Sequence, residues 1–198
     1  MKAVRIKEQG GPEVMSFDDI DQPQPAATEM LIKVEAAGIN YIDTYQRSGL
    51  YQIPLLTTLG LEASGTVEAI GSDVSRFKAG DRVAYTNVLG AYAEYSVVDQ
   101  DKVVALPDGV SFNEGAAAML QGCTAHYLSQ STYPIKKGDS CLIHAAAGGV
   151  GLILTQMAKN AGATVIGTVS TQEKAELARA AGADEVILYC EKNFETEV

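Results

Sequence analysis

After a run of apolar residues the chain carries Ala146-Ala147-Gly148-Gly149-Val150-Gly151, and a helix-patterned segment follows. Small residues at this spacing permit a tight strand-to-helix turn. They also let backbone N–H groups approach an anion at the helix N-terminus. The spacing is that of a GxGxxG turn with alanine at the first position, and its surroundings give it force. Residues 141–145 read as a buried strand. Residues 150–161 read as a helix, with Val150, Leu154, Met157 and Ala161 at helical spacing and Gly162 as its stop. Thr164–Val169 reads as the next strand. Ser170-Thr171-Gln172-Glu173 is a capping-box pattern opening a helix that closes at Gly182, and Glu185–Leu188 is a third strand. This order is βαβαβ, which implies a parallel sheet with right-handed crossovers. Residues 190–198 begin a further element.

The first half has a different texture. Segments 2–7, 30–34, 65–70, 82–85 and 92–98 are strand-like, separated by turn signals such as Gly10-Gly11-Pro12, Gly71-Ser72-Asp73 and Ala79-Gly80-Asp81. Short strands at this spacing point to a small barrel or sandwich. A short helix is expected at 40–47. After Pro107, Ser111-Phe112-Asn113-Glu114 forms a capping box before an Ala-rich helix.

Acidic residues outnumber basic ones 25 to 15, for a formal charge of −10, and no Lys/Arg cluster offers a phosphate-tracking face. Nucleic acid and anionic membrane surfaces are therefore disfavoured partners. Cys123, Cys141 and Cys190 are an odd number far apart, which fits neither a disulfide framework nor a CxxC metal clip. The stretch 140–158 carries no charge, but His144, Gln156 and the glycines make a strand, turn and helix a better reading than a membrane span. The start, MKAVRIKEQGG, lacks a signal-peptide apolar core, so a cytoplasmic protein is expected.

The position that selects the cofactor lies about 20 residues beyond the turn, where sites for NAD carry Asp or Glu. Here stand Thr168, Val169, Ser170 and Thr171. Hydroxyls together with Lys174 suit a 2′-phosphate, so the expected cofactor is NADP(H).

These residues resemble a known family. Gly138-Asp139, Leu142, Ala146 to Gly151, Gln156 and Lys159 are similar to the signature of the quinone oxidoreductase and zeta-crystallin branch of the medium-chain dehydrogenases/reductases. Gly38-Ile39-Asn40-Tyr41-Ile42-Asp43-Thr44-Tyr45, Arg47-Ser48-Gly49-Leu50-Tyr51 and Gly60-Leu61-Glu62-Ala63-Ser64-Gly65 resemble bacterial NADPH:quinone reductases. The resemblance covers essentially the whole chain. It implies an α/β plus β architecture: a GroES-like β-barrel catalytic domain over 1–122, then the first βαβαβ half of a Rossmann fold over 123–198, with the active site in the cleft between them.

The resemblance also implies residue roles. Asn40, Tyr45 and Tyr51 become catalytic candidates, Asn40 against the nicotinamide side of the cleft and Tyr45 and Tyr51 near the substrate. Tyr41, Ile42, Asp43, Thr44 and Tyr127 fall beside the cofactor, with Gly148, Gly149, Val150 and Gly151 on the pyrophosphate. Ser170, Thr171 and Lys174 fall at the adenosine phosphate, and Tyr189 near the adenine. Where zinc-dependent relatives have their catalytic ligands, this chain has Asn40, Leu61 and Gln121, which cannot form a Cys/His tetrahedral site, so no metal is expected. His126 and His144 read as structural. The expected chemistry is then hydride transfer from NADPH to a quinone or α,β-unsaturated carbonyl, with the cleft orienting the reactants and excluding water. Tyr45 is the candidate proton donor.

Only the first half of a dinucleotide fold is present, whereas relatives continue through a second half that carries the usual homodimer interface. The sequence therefore predicts an exposed sheet edge and lower stability than a full-length relative. It also leaves a second reading, a non-catalytic binding or structural protein with weak nucleotide affinity.

Overall fold

The computed structural model describes residues 1–198 and divides into two compact units, Met1–Leu120 and Gln121–Val198.

In the first unit, β1 (Lys2–Ile6), β2 (Met15–Asp19), β3 (Glu29–Ala37), α1 (Tyr41–Ser48), β4 (Thr57–Thr58), β5 (Glu62–Ile70), β6 (Arg82–Thr86), β7 (Tyr95–Asp99) and β8 (Val103–Ala105) follow in order. Two antiparallel sheets result, β7-β3-β5-β6-β8 and β2-β1-β4. They are stitched by an Ala3–Ala93 bridge and by the Val4 N–H on Tyr92 O at 2.8 Å. Alternate residues of the larger sheet fill one core: Met30, Ile32, Val67, Val83, Tyr85, Val98 and Val103. Strand alternation thus turns one face of the sheet into this apolar core, while Leu31 and Ala84 are buried between its members.

Several elements differ from the sequence expectation. β3 runs on to Ala37, because bulges at Leu31/Ile32 and Val34/Ala36 let it bend without leaving β5. β7 starts at Tyr95, since residues 92–94 serve the bridge to β1. β2, β4 and β8 had no clear sequence signal. β2 carries two adjacent aspartates, and its Phe17 is 70% exposed, so it lacks the apolar alternation of a half-buried strand.

α2 (Phe112–Tyr127) begins with the expected capping box: the Ser111 N–H donates to Glu114 at 2.8 Å, and the Glu114 N–H donates to Ser111 Oγ at 3.2 Å. A π-helical turn, Leu128–Thr132, follows. The second unit then runs β9 (Ser140–His144), α3 (Gly149–Asn160), β10 (Thr164–Val169), α4 (Gln172–Ala180), β11 (Glu185–Leu188) and α5 (Phe194–Glu197). Its strands are parallel in the order β11-β10-β9. Central β10 is buried at Val165, Gly167, Thr168 and Val169, as a strand covered on both faces should be. Ala158, Ala175 and Ala178 are buried with it, and their short side chains bring the helices close to the sheet. Lys159 Nζ ties the end of α3 to Asp184 at 2.7 Å, while Asp184 also accepts the Val165 N–H. That ion pair and hydrogen bond hold the Asp184 carboxyl below its usual range.

The helix caps sit one residue from where the sequence put them. α3 starts at Gly149. α4 is capped by Thr171, whose hydroxyl accepts the Lys174 N–H at 3.3 Å, so the expected Ser170/Glu173 box is not formed. Ser170 still belongs to the extended turn leaving β10, which delays the helix by one position.

Two glycines separate steric from conformational demands. A Cβ on Gly65 would collide with the Lys33 backbone across the β3–β5 pair, 2.9 Å from its carbonyl carbon. Gly80 has open space but a φ of +90°. Gly65→Ala should cost about 2–3 kcal/mol through overpacking. Gly80→Ala should cost only about 1 kcal/mol through its left-handed backbone. Urea unfolding of both variants checks this; equal losses would contradict it.

Candidate functional site

The parallel sheet places three loops at its carboxyl edge, the edge at which open α/β sheets bind ligands. After β9 the chain turns through Ala145, with φ at +51°, and the Gly148 N–H bonds Ala145 O at 2.8 Å. The first helical bond of α3 is the Leu152 N–H on Gly148 O at 2.9 Å. The N–H groups of Gly149, Val150 and Gly151 therefore lie in the first turn of α3 without intrahelical partners, a natural seat for an anion. Gly151 lies against the end of β9, where a Cβ would stand 2.8 Å from the Ala146 carbonyl carbon. This close approach brings the helix start onto the sheet.

After β10, Ser170, Thr171 and Lys174 come together at the start of α4, with Lys174 Nζ donating to Ser170 Oγ at 3.3 Å. After β11 comes Tyr189, half exposed, its N–H on Val169 O at 3.1 Å. A cavity of about 710 Å³ opens at this edge, lined by His144, Thr168, Tyr189, Lys192 and Phe194 among others. His144 is fixed by Thr168, Nδ1 to Oγ1 at 3.0 Å, and packs edge-on against Phe194. Tyr127 ends α2 half exposed.

In the first unit, the sequence candidates around α1 separate into two groups. Tyr41, Tyr45 and Tyr51 form an aromatic cluster, with ring centroids 5.2 Å apart for Tyr41–Tyr45 and 5.3 Å for Tyr45–Tyr51. Tyr41 and Tyr51 are exposed, beside exposed Ile39 and Leu50. Asn40 and Asp43, by contrast, are buried in the interior of the unit. The Asn40 N–H donates to Asp43 Oδ2 at 2.8 Å, which starts α1, and the Tyr92 hydroxyl donates to the same oxygen at 2.6 Å. Asn40 Nδ2 donates to Glu62 Oε1 at 2.7 Å, and Glu62 Oε2 accepts the Leu120 N–H at 2.6 Å. Ile42 and Thr44 are half-buried on α1, with Thr44 Oγ1 donating to Tyr41 O at 2.7 Å.

Sequence reasoning missed Glu62 and Tyr92 as parts of this network. Glu62 has no exposed surface, and Gly38 leaves the room it fills. Its burial depends on Asn40 and Leu120, both far away in the chain, so its place in the Gly60–Gly65 segment does not by itself reveal these partners. The Tyr92 hydroxyl is pushed well above its ordinary value of 10, by burial first and then by its bond to Asp43 and the charges of Asp43 and Glu62.

The residues present do not fit a catalytic zinc. Asn40 turns an N–H donor toward Glu62 where a ligand would offer a lone pair, and Leu61 has no donor atom. No three His, Cys, Asp or Glu side chains gather as a metal site. A dinucleotide is a different matter: the first turn of α3, the Ser170–Lys174 pair and the open edge beside Tyr189 suit its phosphates and its adenosine end.

A β-barrel-type unit followed by a parallel βαβαβ unit with this Gly turn is the arrangement of two-domain dehydrogenases. The Alcohol dehydrogenase GroES-like domain matches residues 26–108, and the Zinc-binding dehydrogenase family matches residues 149–198. The quinone oxidoreductase of Pseudomonas aeruginosa is 50% identical over 100% of this chain and 61% of its own length. The human quinone oxidoreductase is 41% identical, over 98% of this chain and 60% of its own. The crystal structure of the Escherichia coli quinone oxidoreductase complexed with NADPH superposes with a TM-score of 0.97 at 45% identity, over 100% of this chain and 61% of that one. The chain is similar to quinone oxidoreductases over its whole length and spans about 61% of the length of such relatives. No helix is long and apolar enough to cross a membrane.

Two predictions follow from the buried network. Glu62→Ala removes the carboxylate that accepts from Asn40 and Leu120 and leaves a buried cavity, so stability should fall by roughly 3 kcal/mol. Glu62→Gln keeps the shape and should cost less; urea unfolding of both would contradict this if the two losses were equal or if Glu62→Ala were neutral. The second concerns pH. Tyr92 keeps its proton in the folded state above pH 10, where the unfolded chain loses it, so the unfolded state binds fewer protons and stability falls as pH rises. Tyr92→Phe should show a shallower alkaline decline in urea midpoints; identical slopes would count against the assignment.

Proposed function

We propose that this chain carries the nucleotide site and the acceptor face of an NADPH-dependent, metal-free oxidoreductase acting on quinones or α,β-unsaturated carbonyls. The observation that carries the reading is the edge beyond β10. Ser170 and Lys174 are in hydrogen-bond contact there, and no carboxylate occupies the ribose position. A lysine in the first turn of a helix is electrostatically disfavoured on its own, and an anion beside it would remove that penalty. A 2′-phosphate is such an anion. The quinone oxidoreductase names of the relatives and the NADPH complex of the Escherichia coli enzyme support the same reading.

When bound, NADPH supplies the hydride. The chain's own residues hold and orient. The N–H groups of Gly149, Val150 and Gly151 bind the diphosphate, Ser170, Thr171 and Lys174 bind the 2′-phosphate, and Tyr189 packs against the adenine. Tyr41, Tyr45 and Tyr51 offer ring faces to a flat, electron-poor acceptor. A quinone that gains a hydride needs one proton to become a hydroquinone. The Tyr45 hydroxyl donates it to the reduced oxygen and recovers it from water. Asn40 and Asp43 act through α1, whose start they fix.

The test is NADPH oxidation by 1,4-benzoquinone with the 198-residue chain, NADH as control, alongside nucleotide affinity from tyrosine fluorescence, which no tryptophan obscures. NADPH should bind more tightly than NADH. Lys174→Ala should weaken NADPH roughly tenfold, the scale of one charge-assisted contact, and leave NADH unchanged. Tight binding without turnover would favour the non-catalytic reading, which the 61% coverage of the relatives keeps in play. Equal affinity for the two nucleotides would overturn the NADPH assignment.

A further inference from the structure

The loop between α1 and β4, residues 49–56, is held in a shape that its own sequence does not favour. Leu56 has a φ of +60°, a left-handed conformation that is strained for a leucine. Strain of this kind persists only where the surroundings impose it. Here the guanidinium of Arg5 on β1 does so, donating from Nη2 to Leu56 O at 3.0 Å. At the other end of the loop Gln52 is engaged on both sides of its carboxamide. Its Nε2 donates to Gly49 O at 2.7 Å, and its Oε1 accepts from Gln9 Nε2 at 3.2 Å. Gln9 is kept beside α1, because the Gly10 N–H donates to Arg47 O at 3.0 Å and Arg47 Nε donates back to Gly10 O at 3.3 Å. The loop tied down in this way still leaves Leu50, Tyr51, Leu55 and Leu56 exposed. A strained, tethered backbone that presents apolar side chains to solvent points to recognition rather than to packing.

We propose that Gln52 is a positioning residue for the acceptor, acting through Tyr51. The inference rests on the reading of Tyr41, Tyr45 and Tyr51 as the acceptor face. Tyr51 directly precedes Gln52, and its N–H donates to Tyr45 O at 3.1 Å. Gln52 closes the turn that starts at Gly49, so that the Tyr51 ring stands 5.3 Å from that of Tyr45 before an acceptor arrives. A turn left open would have to be ordered on binding, at a cost in affinity. Gln9 braces the closed turn through Gln52, which makes the two glutamines one device.

The test uses the full 198-residue chain and tetramethyl-1,4-benzoquinone, which has no open ring position for the exposed Cys123 and Cys190 thiols to attack. Binding is read from tyrosine ring resonances during titration. Gln52→Ala should weaken the acceptor roughly threefold to tenfold, the scale of one lost hydrogen bond, with NADPH affinity and thermal midpoint unchanged. Gln52→Lys keeps an N–H donor for Gly49 O and should bind like the parent. The Gln9→Ala/Gln52→Ala double variant should bind no worse than Gln52→Ala alone. Unchanged acceptor affinity in Gln52→Ala overturns the inference and leaves the acceptor face standing. So does an equal loss in Gln52→Lys, or a loss that NADPH affinity and thermal midpoint share. If Tyr45 and Tyr51 of the parent chain do not respond to the quinone at all, the acceptor reading fails and the inference with it.

Discussion

A buried carboxylate organises the first unit. Glu62 has no contact with solvent, and an uncompensated charge there would be costly, so its surroundings must supply donors. They come from two elements: the side chain of Asn40 at the head of α1 and the backbone N–H of Leu120 in α2. Gly38 makes room for it. Asn40 is in turn held by Asp43, and Asp43 by Tyr92. One acidic residue on β5 thereby fixes where α1 begins, and with it the direction of Tyr41 and Tyr45. In zinc enzymes of this architecture a metal would organise such a neighbourhood. Here hydrogen bonds among Asn40, Asp43, Glu62 and Tyr92 do so.

On the proposed reading the second unit meets a different problem, the binding of a polyanion by a chain with a net charge of −10. General attraction is unavailable, so the means must be local. Backbone amides at the head of α3 carry partial positive charge without adding cationic side chains. Lys174 adds a single full charge, positioned by Ser170. The small residue Gly151 is what lets the head of α3 lie against the end of β9. The remaining cation near this edge, Lys192, is engaged with Glu197 at 2.9 Å.

Much of this architecture was legible because it is local. Thr164–Val169 and Glu185–Leu188 are strands at the bounds the sequence predicts, since β-branched runs between a helix stop and a helix start leave little choice. The Ser111–Glu114 box was equally plain, both partners lying within one turn. What sequence could not reveal depends on partners far along the chain. Glu62 reads only as a member of the Gly60–Gly65 segment until Asn40 and Leu120 surround it. The strand Met15–Asp19 escaped because its pairing with β1, rather than its own pattern, makes it a strand. Thr171 took the cap from Ser170 because the exit from β10 takes one more extended residue than the pattern suggested.

The central claim is that a dinucleotide binds at the carboxyl edge of the β11-β10-β9 sheet. Backbone amide chemical-shift mapping of the isotopically labelled chain during NADPH titration tests it most directly. The account predicts shifts concentrated in three places: Gly148 to Gly151, Ser170 to Lys174, and Tyr189. Saturating NADPH that left those amides unmoved, or moved only residues elsewhere in the chain, would contradict it.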